Sequence, residues 1–236
     1  MIINAIVGTM ASYNSVLYKW VIVMKKISGY IYMLAGALLI VIAALIVNNN
    51  LMENTEAGEA SDEYLSGVIA QMPWNVIDYS GEMPVVDVDG HSFIGTVEIP
   101  SLGLLLPVQS EWDKKAARYA VCRYMGSVYD RNLIIAGHNY EEHFGRLNEL
   151  NSGDEVIVTD MNGRSFYFVV SNIETLGAYD SEEMEAGEWD LTLFTCTIGG
   201  ANRVTVRCEA TGEMTETGAT PDVIDAAEKS KHIRKE

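Results

Sequence analysis

One uncharged stretch near the N-terminus constrains this chain more than any other feature. Residues 27–47 read ISGYIYMLAGALLIVIAALIV and contain no Asp, Glu, Lys or Arg. A helix of this length, at about 1.5 Å of rise per residue, spans a hydrocarbon core of about 30 Å. A cleaved secretory signal is the alternative, but its apolar core has only about 7–15 residues, and VNNNLMENTE lacks a clear small-x-small cleavage site. We therefore expect residues 27–47 to be a retained transmembrane helix.

The charges on the two sides of this stretch predict its orientation. Lys19, Lys25 and Lys26 are the only charged residues before it, whereas all 33 Asp and Glu follow it. Because positive residues favour the cytoplasmic side, residues 1–26 are expected in the cytoplasm and the rest outside the cell membrane. The net charge of −17 also argues against a nucleic-acid partner, because an acidic surface repels phosphate backbones.

Two segments flank the main globular region. Residues 48–84 are polar and acidic, and we interpret them as an extracellular stalk with one helix near residues 61–72, on which Tyr64, Leu65, Val68 and Ile69 share a face. Residues 212–236 mix charged and small residues without a long apolar run, which predicts a polar, flexible tail.

Residues 85–211 are rich in short strand patterns. NLIIAG is typical of a buried strand, and residues 153–176 form a hairpin pattern whose strands meet at Asn162-Gly163, a dipeptide suited to a tight turn. Short helices are predicted over 110–120 and 140–150. Many short strands with only short helices indicate a mainly β fold, a closed or nearly closed barrel.

Two strand ends carry residues capable of nucleophilic chemistry. Cys196 ends the strand pattern LTLFTC, and His138 directly follows LIIAG. If both ends meet at one rim of a barrel, an imidazolium can stabilise the thiolate and protonate a leaving amine. Arg203 follows the connection TIGGAN, whose glycines permit a tight turn back towards Cys196. A single cysteine on a strand is nevertheless often buried and inert, so spacing alone leaves both interpretations open.

The other cysteines, Cys122 and Cys208, form no CxxC or Cys/His metal spacing with Cys196. They are compatible with core packing or with one disulfide. No motif for a cofactor is present, so none is predicted.

Several motifs occur together in the order found in the sortase family, which the chain resembles. TLFTC at 192–196 resembles the family's TLxTC, Arg203 opens the following strand, and IIAGHN at 134–139 supplies the upstream Gly-His. GTVEIPSLGLLLPV at 95–108 resembles the opening of the domain, and HFGRLNEL at 143–150 resembles the segment after the histidine. The resemblance covers residues 85–211.

This resemblance implies an eight-stranded sortase barrel and a membrane-anchored cysteine transpeptidase of a Gram-positive type of cell. Residue by residue, it makes Cys196 the nucleophile, His138 the general acid/base and Arg203 the partner of substrate and oxyanion. Thr195, directly before the nucleophile, is a candidate contact of the substrate.

The implied substrates are secreted proteins with a C-terminal LPxTG-like sorting signal, cleaved between Thr and Gly through a thioester. The implied acceptor is an amine of a peptidoglycan precursor or, alternatively, a pilin lysine during pilus polymerisation. The polar C-terminal tail and the absence of an Asp-Pro-aromatic element argue against class C. The short interval from Cys196 to Arg203 argues against class A, which leaves a class B or D-like enzyme.

The acidic run YDSEEMEAGE at 179–188 precedes the strand of Cys196. One branch of class A binds Ca²⁺ with carboxylates near the corresponding loop, so Ca²⁺ is a candidate ligand. A solvated loop is the alternative, because no regular spacing of ligands is visible.

Two other functional classes compete with a transpeptidase. A hydrolytic cysteine protease would use the same Cys/His pair, but the Cys-before-His order and CGSCW of papain and the QACxG of caspases are absent. A surface or pilus-associated module without catalysis would not require His138, Cys196 and Arg203 together.

Met24 is the expected translation start, because MKKISGYIYM places two lysines directly before the apolar helix. Residues 1–23 would then be an upstream extension. Intact-mass spectrometry of the protein purified from its native cells should give the mass of a chain that begins at Met24. A mass that includes residues 1–23 would contradict this expectation.

Overall fold

The computed structural model describes residues 2–72, 81–113, 115–185 and 188–215. It divides into two compact units, residues 1–52 and residues 53–236. Within the predicted tail, residues 216–236 lie outside the described residues, whereas residues 212–215 continue the last strand.

The first unit is helical, and its helix α1, Ile2–Gln71, continues into the second unit. The part of α1 from Gly29 onward contains an 18-residue window with mean hydropathy 2.7 and is long and apolar enough to cross a membrane. Its large apolar side chains, such as Leu38 and Ile40, are exposed. This confirms a long apolar N-terminal helix compatible with a membrane anchor. The helix ends two residues before Pro73, the first proline of the chain.

The second unit contains nine described strands. They are β1 Val86–Val88, β2 His91–Ile99, β3 Leu104–Gln109, β4 Val121–Met125, β5 Leu133–Gly137, β6 Glu155–Asp160, β7 Ser165–Gly177, β8 Leu191–Cys196 and β9 Asn202–Thr215. The short helix α2, Ser181–Glu185, lies between β7 and β8.

The sheet closes on itself. Its strand order is β1-β2-β3-β4-β5-β8-β9-β7-β6, and β6 also pairs with β2, so that β2 to β9 form an eight-stranded barrel with β1 added at β2. The pairs β3–β4 and β5–β8 are parallel, and the other pairs are antiparallel. The predicted mainly β barrel is therefore confirmed, including the hairpin of β6 and β7 at Asn162-Gly163.

The two helices predicted beside the barrel are shorter than expected. The segment 110–120 contains a single 3₁₀ turn, Ala116–Arg118, and the segment 140–150 contains another, Leu147–Glu149. The carboxylate of Asp113 accepts hydrogen bonds from the backbone N–H groups of Lys115 and Ala116, both at 2.9 Å. This is helix-cap chemistry, but the turn that it begins ends before a second turn can form.

Within the second unit, the C-terminal part of α1 packs on the barrel. Leu65 and Val68 are 1% and 0% exposed; Leu65 contacts Leu105 of β3, and Val68 lies in a cluster with Phe93 of β2. Both residues lie on the face of α1 that the sequence pattern assigns to Tyr64, Leu65, Val68 and Ile69. Nearer its start in this unit, Asn54 Oδ1 accepts a 2.8 Å hydrogen bond from the backbone N–H of Glu141. Residues 53–72 thus form part of the folded unit.

The packing of this helix segment predicts a large effect for Leu65→Ala. Removing a fully buried leucine side chain should lower the free energy of unfolding by about 2–4 kcal/mol. Chemical denaturation of the detergent-solubilised chain, followed by tryptophan fluorescence, would measure this change. Glu63→Ala is the control, because Glu63 is exposed on the same helix and should change stability by less than about 0.5 kcal/mol. Equal effects of the two substitutions would show that the segment is not packed as described.

Candidate functional site

Three adjacent strands bring the candidate residues together. β8 lies between β5 and β9, with Gly137 opposite Thr195 and Cys196 opposite Arg203. The parallel pairing ends at Gly137, and His138 follows it directly, as Cys196 follows Thr195 on β8. Because neighbouring strands are about 4.8 Å apart, His138, Cys196 and Arg203 form a row across three strand ends.

Alternation along these strands explains why all three side chains share one face of the sheet. Leu191 and Leu193 of β8 belong to the core inside the barrel, as do Leu133 and Ile135 of β5 and Val206 of β9. Since successive side chains point to opposite faces, Cys196, His138 and Arg203 lie on the outer face. Burial of the inner positions therefore determines where the reactive groups appear.

These three residues line one cavity of about 400 Å³. Its floor includes Ala136 and Phe194 on the same outer face of β5 and β8. Its walls are formed by Trp112, Tyr124, Gly177 at the end of β7, and Ala178, Asp180, Ser181 and Met184 of the connection between β7 and β8. Cys196 is half-buried at this cavity. A half-buried thiol in an accessible cleft has the exposure that a nucleophile requires.

Phe144 packs against the backbone at Gly137 and His138. Gly137 makes this possible, because a Cβ atom there would lie 2.7 Å from the ring of Phe144. The backbone N–H of Phe144 donates a 3.1 Å hydrogen bond to the carbonyl of His138. The ring of Tyr140 lies 5.1 Å from the imidazole of His138, measured between centroids. The glycine of the Gly-His pair thus positions the histidine through close packing.

The connection between β8 and β9 positions Arg203. Gly199 and Gly200 have φ angles of 84° and 74°, the left-handed region in which glycine is favoured, as expected from the sequence. Nη1 of Arg203 donates hydrogen bonds of 3.2 Å to the carbonyls of Gly200 and Asn202. Both hydrogen bonds use Nη1, and a guanidinium has five N–H groups in total. The side chain is therefore oriented by its own turn at the edge of the cavity.

An aromatic pair of one floor residue and one wall residue borders the cavity next to Cys196. The rings of Tyr124 and Phe194 meet edge to face with centroids 5.4 Å apart. The Tyr124 hydroxyl donates a 3.3 Å hydrogen bond to Glu185 Oε1 in α2. Burial and the Glu185 carboxylate raise the pKa of Tyr124, so its hydroxyl stays protonated and remains a donor. Apolar contact area therefore surrounds a small polar centre, as is usual for ligand sites.

Thr195 occupies a different place from the other three predicted residues. Its side chain is 2% exposed, and it is not among the residues that line the cavity. The alternation that places Cys196 outside turns its neighbour inward, so the structure does not bring Thr195 together with His138, Cys196 and Arg203.

The acidic run 179–188 does not gather into a metal site in the part of the chain that the structure describes, where no group of three His, Cys, Asp or Glu residues could hold a metal ion. Asp180 instead accepts a 2.7 Å hydrogen bond from the backbone N–H of Gly177, and residues 186 and 187 lie outside the described residues. Ca²⁺ binding by this run stays a prediction.

Sequence reasoning missed most of the residues that shape the cavity. Trp112, Tyr124 and Met184 line it, yet none belongs to a motif around Cys196 or His138. The segment VCRYM at 121–125 offered no clear signal for Tyr124, because its burial does not alternate and its pairing is irregular between Arg123 and Met125. No signal in the acidic run indicated that Met184 would be buried.

Comparison with known proteins gives one family match. Residues 97–211 match the family model of the sortase domain, a range that runs from within β2 to within β9. No curated protein sequence matches the chain.

Several solved structures are similar. Sortase C1 of Streptococcus agalactiae is 22% identical, with TM-score 0.48, and covers 66% of this chain and 88% of its own. Sortase C-3 of Streptococcus pneumoniae is 20% identical, with TM-score 0.49, and the match covers 75% of this chain and 91% of the sortase C-3 chain. Sortase A of Listeria monocytogenes is 17% identical, with TM-score 0.47, and the match covers 56% of this chain and 94% of the sortase A chain.

The burial of the three cysteines predicts a selective thiol reaction. Cys122 and Cys208 are free and buried, so they form no disulfide, and burial raises the pKa of each thiol to about 12. At pH 8 both should stay protonated and unreactive, because their thiolates form only near pH 12. A thiol reagent such as DTNB should therefore modify one cysteine of the native chain and three after denaturation. In Cys196→Ala the native count should fall to zero; rapid modification of two thiols in the native wild type would contradict this assignment.

Proposed function

This chain belongs to the sortase family, whose domain it carries over residues 97–211, and on that premise we propose that it is a membrane-anchored cysteine transpeptidase. Its substrates are secreted proteins with a C-terminal LPxTG-like sorting signal. The observation that carries the proposal is the row of His138, Cys196 and Arg203 at one cavity. A cysteine, a histidine and an arginine at that spacing supply a nucleophile, a proton carrier and a fixed positive charge.

The first half of the reaction is acylation. The thiolate of Cys196 attacks the carbonyl carbon of the bond between Thr and Gly of the sorting signal. Arg203 donates to the oxygen on which negative charge develops, and His138 protonates the leaving amine. The bond between carbon and nitrogen breaks, and the acyl part remains on Sγ as a thioester. The oriented guanidinium of Arg203 supports this role, because donors fixed in advance need not reorganise during the reaction.

The second half transfers the acyl group to an amine. The nitrogen of the acceptor attacks the thioester carbonyl, His138 accepts a proton from that nitrogen, and the thiolate of Cys196 leaves. A peptidoglycan precursor is the proposed acceptor, which attaches the substrate to the cell wall. A pilin lysine would use the same acyl-enzyme and build polymers instead. The apolar helix from Gly29 onward supports a place at the membrane, with the catalytic unit on the outside.

The acceptor step distinguishes a transpeptidase from a protease. The full-length chain in detergent micelles is incubated with fluorogenic LPxTG-like peptides, with and without triglycine. We expect cleavage at Thr-Gly and, with triglycine, a ligated product that mass spectrometry identifies. A peptide with a free lysine side chain, used in place of triglycine, tests the acceptor proposed for pilins.

Cys196→Ala should abolish both reactions, because no other thiol lines the cavity among the described residues. Cys122→Ala is the matched control, since it removes a buried thiol outside the cavity and should retain activity. Unchanged cleavage by Cys196→Ala would overturn the proposed nucleophile. Cleavage without an amine-dependent product would indicate a hydrolytic protease.

A further inference from the structure

A second arginine on β9 is buried beside the candidate site without lining it. Arg207 is 2% exposed, although its guanidinium carries a full positive charge. Its Nε donates a 2.8 Å hydrogen bond to Glu174 Oε1, which is also its salt bridge, and Nη1 donates a 3.1 Å hydrogen bond to Thr192 Oγ1. A buried charge with this many acceptors is stabilised in a single orientation.

The remaining acceptors of Arg207 belong to the main chain of α2. Nη2 donates to the carbonyl of Glu183 at 2.7 Å, and Nη1 donates to the carbonyl of Met184 at 3.1 Å. The last carbonyls of a helix have no partner within it, and a cation is favoured there. Because an isolated helix of five residues is not stable by itself, α2 depends on such external contacts.

Helix α2 forms one wall of the cavity that contains Cys196. Ser181 and Met184 line this cavity, and Asp180 lines it directly before the helix. Arg207 is not among the lining residues. It contacts α2 on the side away from the cavity, through the carbonyls of Glu183 and Met184. Met184 is itself one of the residues that line the cavity.

The geometry of the contact requires an arginine. Nη1 and Nη2 point to two consecutive carbonyls at the same time, and Nε reaches a carboxylate on a different strand. The planar guanidinium provides this fork, whereas the single ammonium group of lysine cannot. Removal of the guanidinium would leave two carbonyls and Glu174 without the donor that they now share.

We propose that Arg207 is a positioning residue that holds the α2 wall in place and thereby sets the affinity of the cleft for the extended peptide of the sorting signal. This inference rests on the proposed function. It separates two arginines of the same face of β9: Arg203 acts on the reacting atoms, and Arg207 acts on peptide binding through α2.

The test compares Arg207→Met and Arg207→Lys with wild type in the full-length, detergent-solubilised chain. We expect Arg207→Met to raise KM for an LPxTG-like peptide by roughly tenfold or more, as the loss of a charge-assisted hydrogen bond would. The kcat should change by less than about threefold, and Arg207→Lys should lie between wild type and Arg207→Met. Arg118→Met is the matched control, because Arg118 is an exposed arginine on the 3₁₀ turn 116–118 and should leave both constants unchanged.

Two further measurements do not depend on turnover. Hydrogen exchange followed by mass spectrometry should show faster exchange over residues 178–190 in Arg207→Met, because the backbone N–H of Met184 is bonded to Asp180 within this segment. The rate of Cys196 alkylation by iodoacetamide should stay within about twofold of wild type, since the thiol itself is not contacted by Arg207. Glu174→Gln, which weakens the salt bridge without removing Arg207, should give a smaller change of the same kind if Arg207→Met fails to fold.

Each outcome decides the inference. A fall in kcat with unchanged KM would overturn it, because Arg207 would then act in the chemical step. Unchanged exchange over residues 178–190 would also overturn it, because the wall would not depend on Arg207. If the wild type cleaves no sorting signal, the proposed function fails, and the exchange measurement still determines whether Arg207 holds α2.

Discussion

The register of β8 between β5 and β9 is the constraint on which the rest of this structure depends. Leu191 and Leu193 are fully buried inside the barrel, and this burial fixes which residues of β8 point outward. A slip of one residue would turn Cys196 into the core and bring leucine side chains to the surface. The inward-facing leucines therefore determine the position of Cys196 more directly than any residue that lines the cavity.

Two arginines on the outer face of β9 have different surroundings, because α2 covers only one of them. Arg203 and Arg207 are four residues apart, so both lie on this face. Arg203 lines the cavity and is oriented by its own turn. Arg207 is covered by α2, and its guanidinium donates four hydrogen bonds that compensate for the removal of its charge from water. The connection between β7 and β8 thus borders the cavity on one side and contacts Arg207 of β9 on the other.

Much of the fold could be predicted from local patterns. Period-two alternation, the Asn162-Gly163 turn and the apolar run before His138 predicted the strands, and the ordered motifs around Cys196 predicted the family. The same patterns placed His138, Cys196 and Arg203 at neighbouring strand ends.

The remaining features depend on contacts between distant segments. The 3₁₀ turns at Ala116–Arg118 and Leu147–Glu149 replace longer helices, because local propensity does not indicate where tertiary packing ends a helix. The continuity of α1 through the polar residues 48–60 could not be predicted from hydrophobic periodicity, because these residues lack the helical pattern that residues 61–72 show. The α2 wall was missed because two of its carbonyls bond to Arg207, which lies 23 and 24 positions further along the chain.

In the proposed reaction, Cys196 carries the acyl group of a sorting signal as a thioester. The most direct measurement is peptide mapping by mass spectrometry after the full-length chain is incubated with an LPxTG-like peptide without an amine and quenched in acid. We expect an adduct with the mass of the peptide up to its threonine, on the fragment that contains Cys196 and on no other fragment. Cleavage of the peptide without this adduct, or an adduct on Cys122 or Cys208, would contradict it.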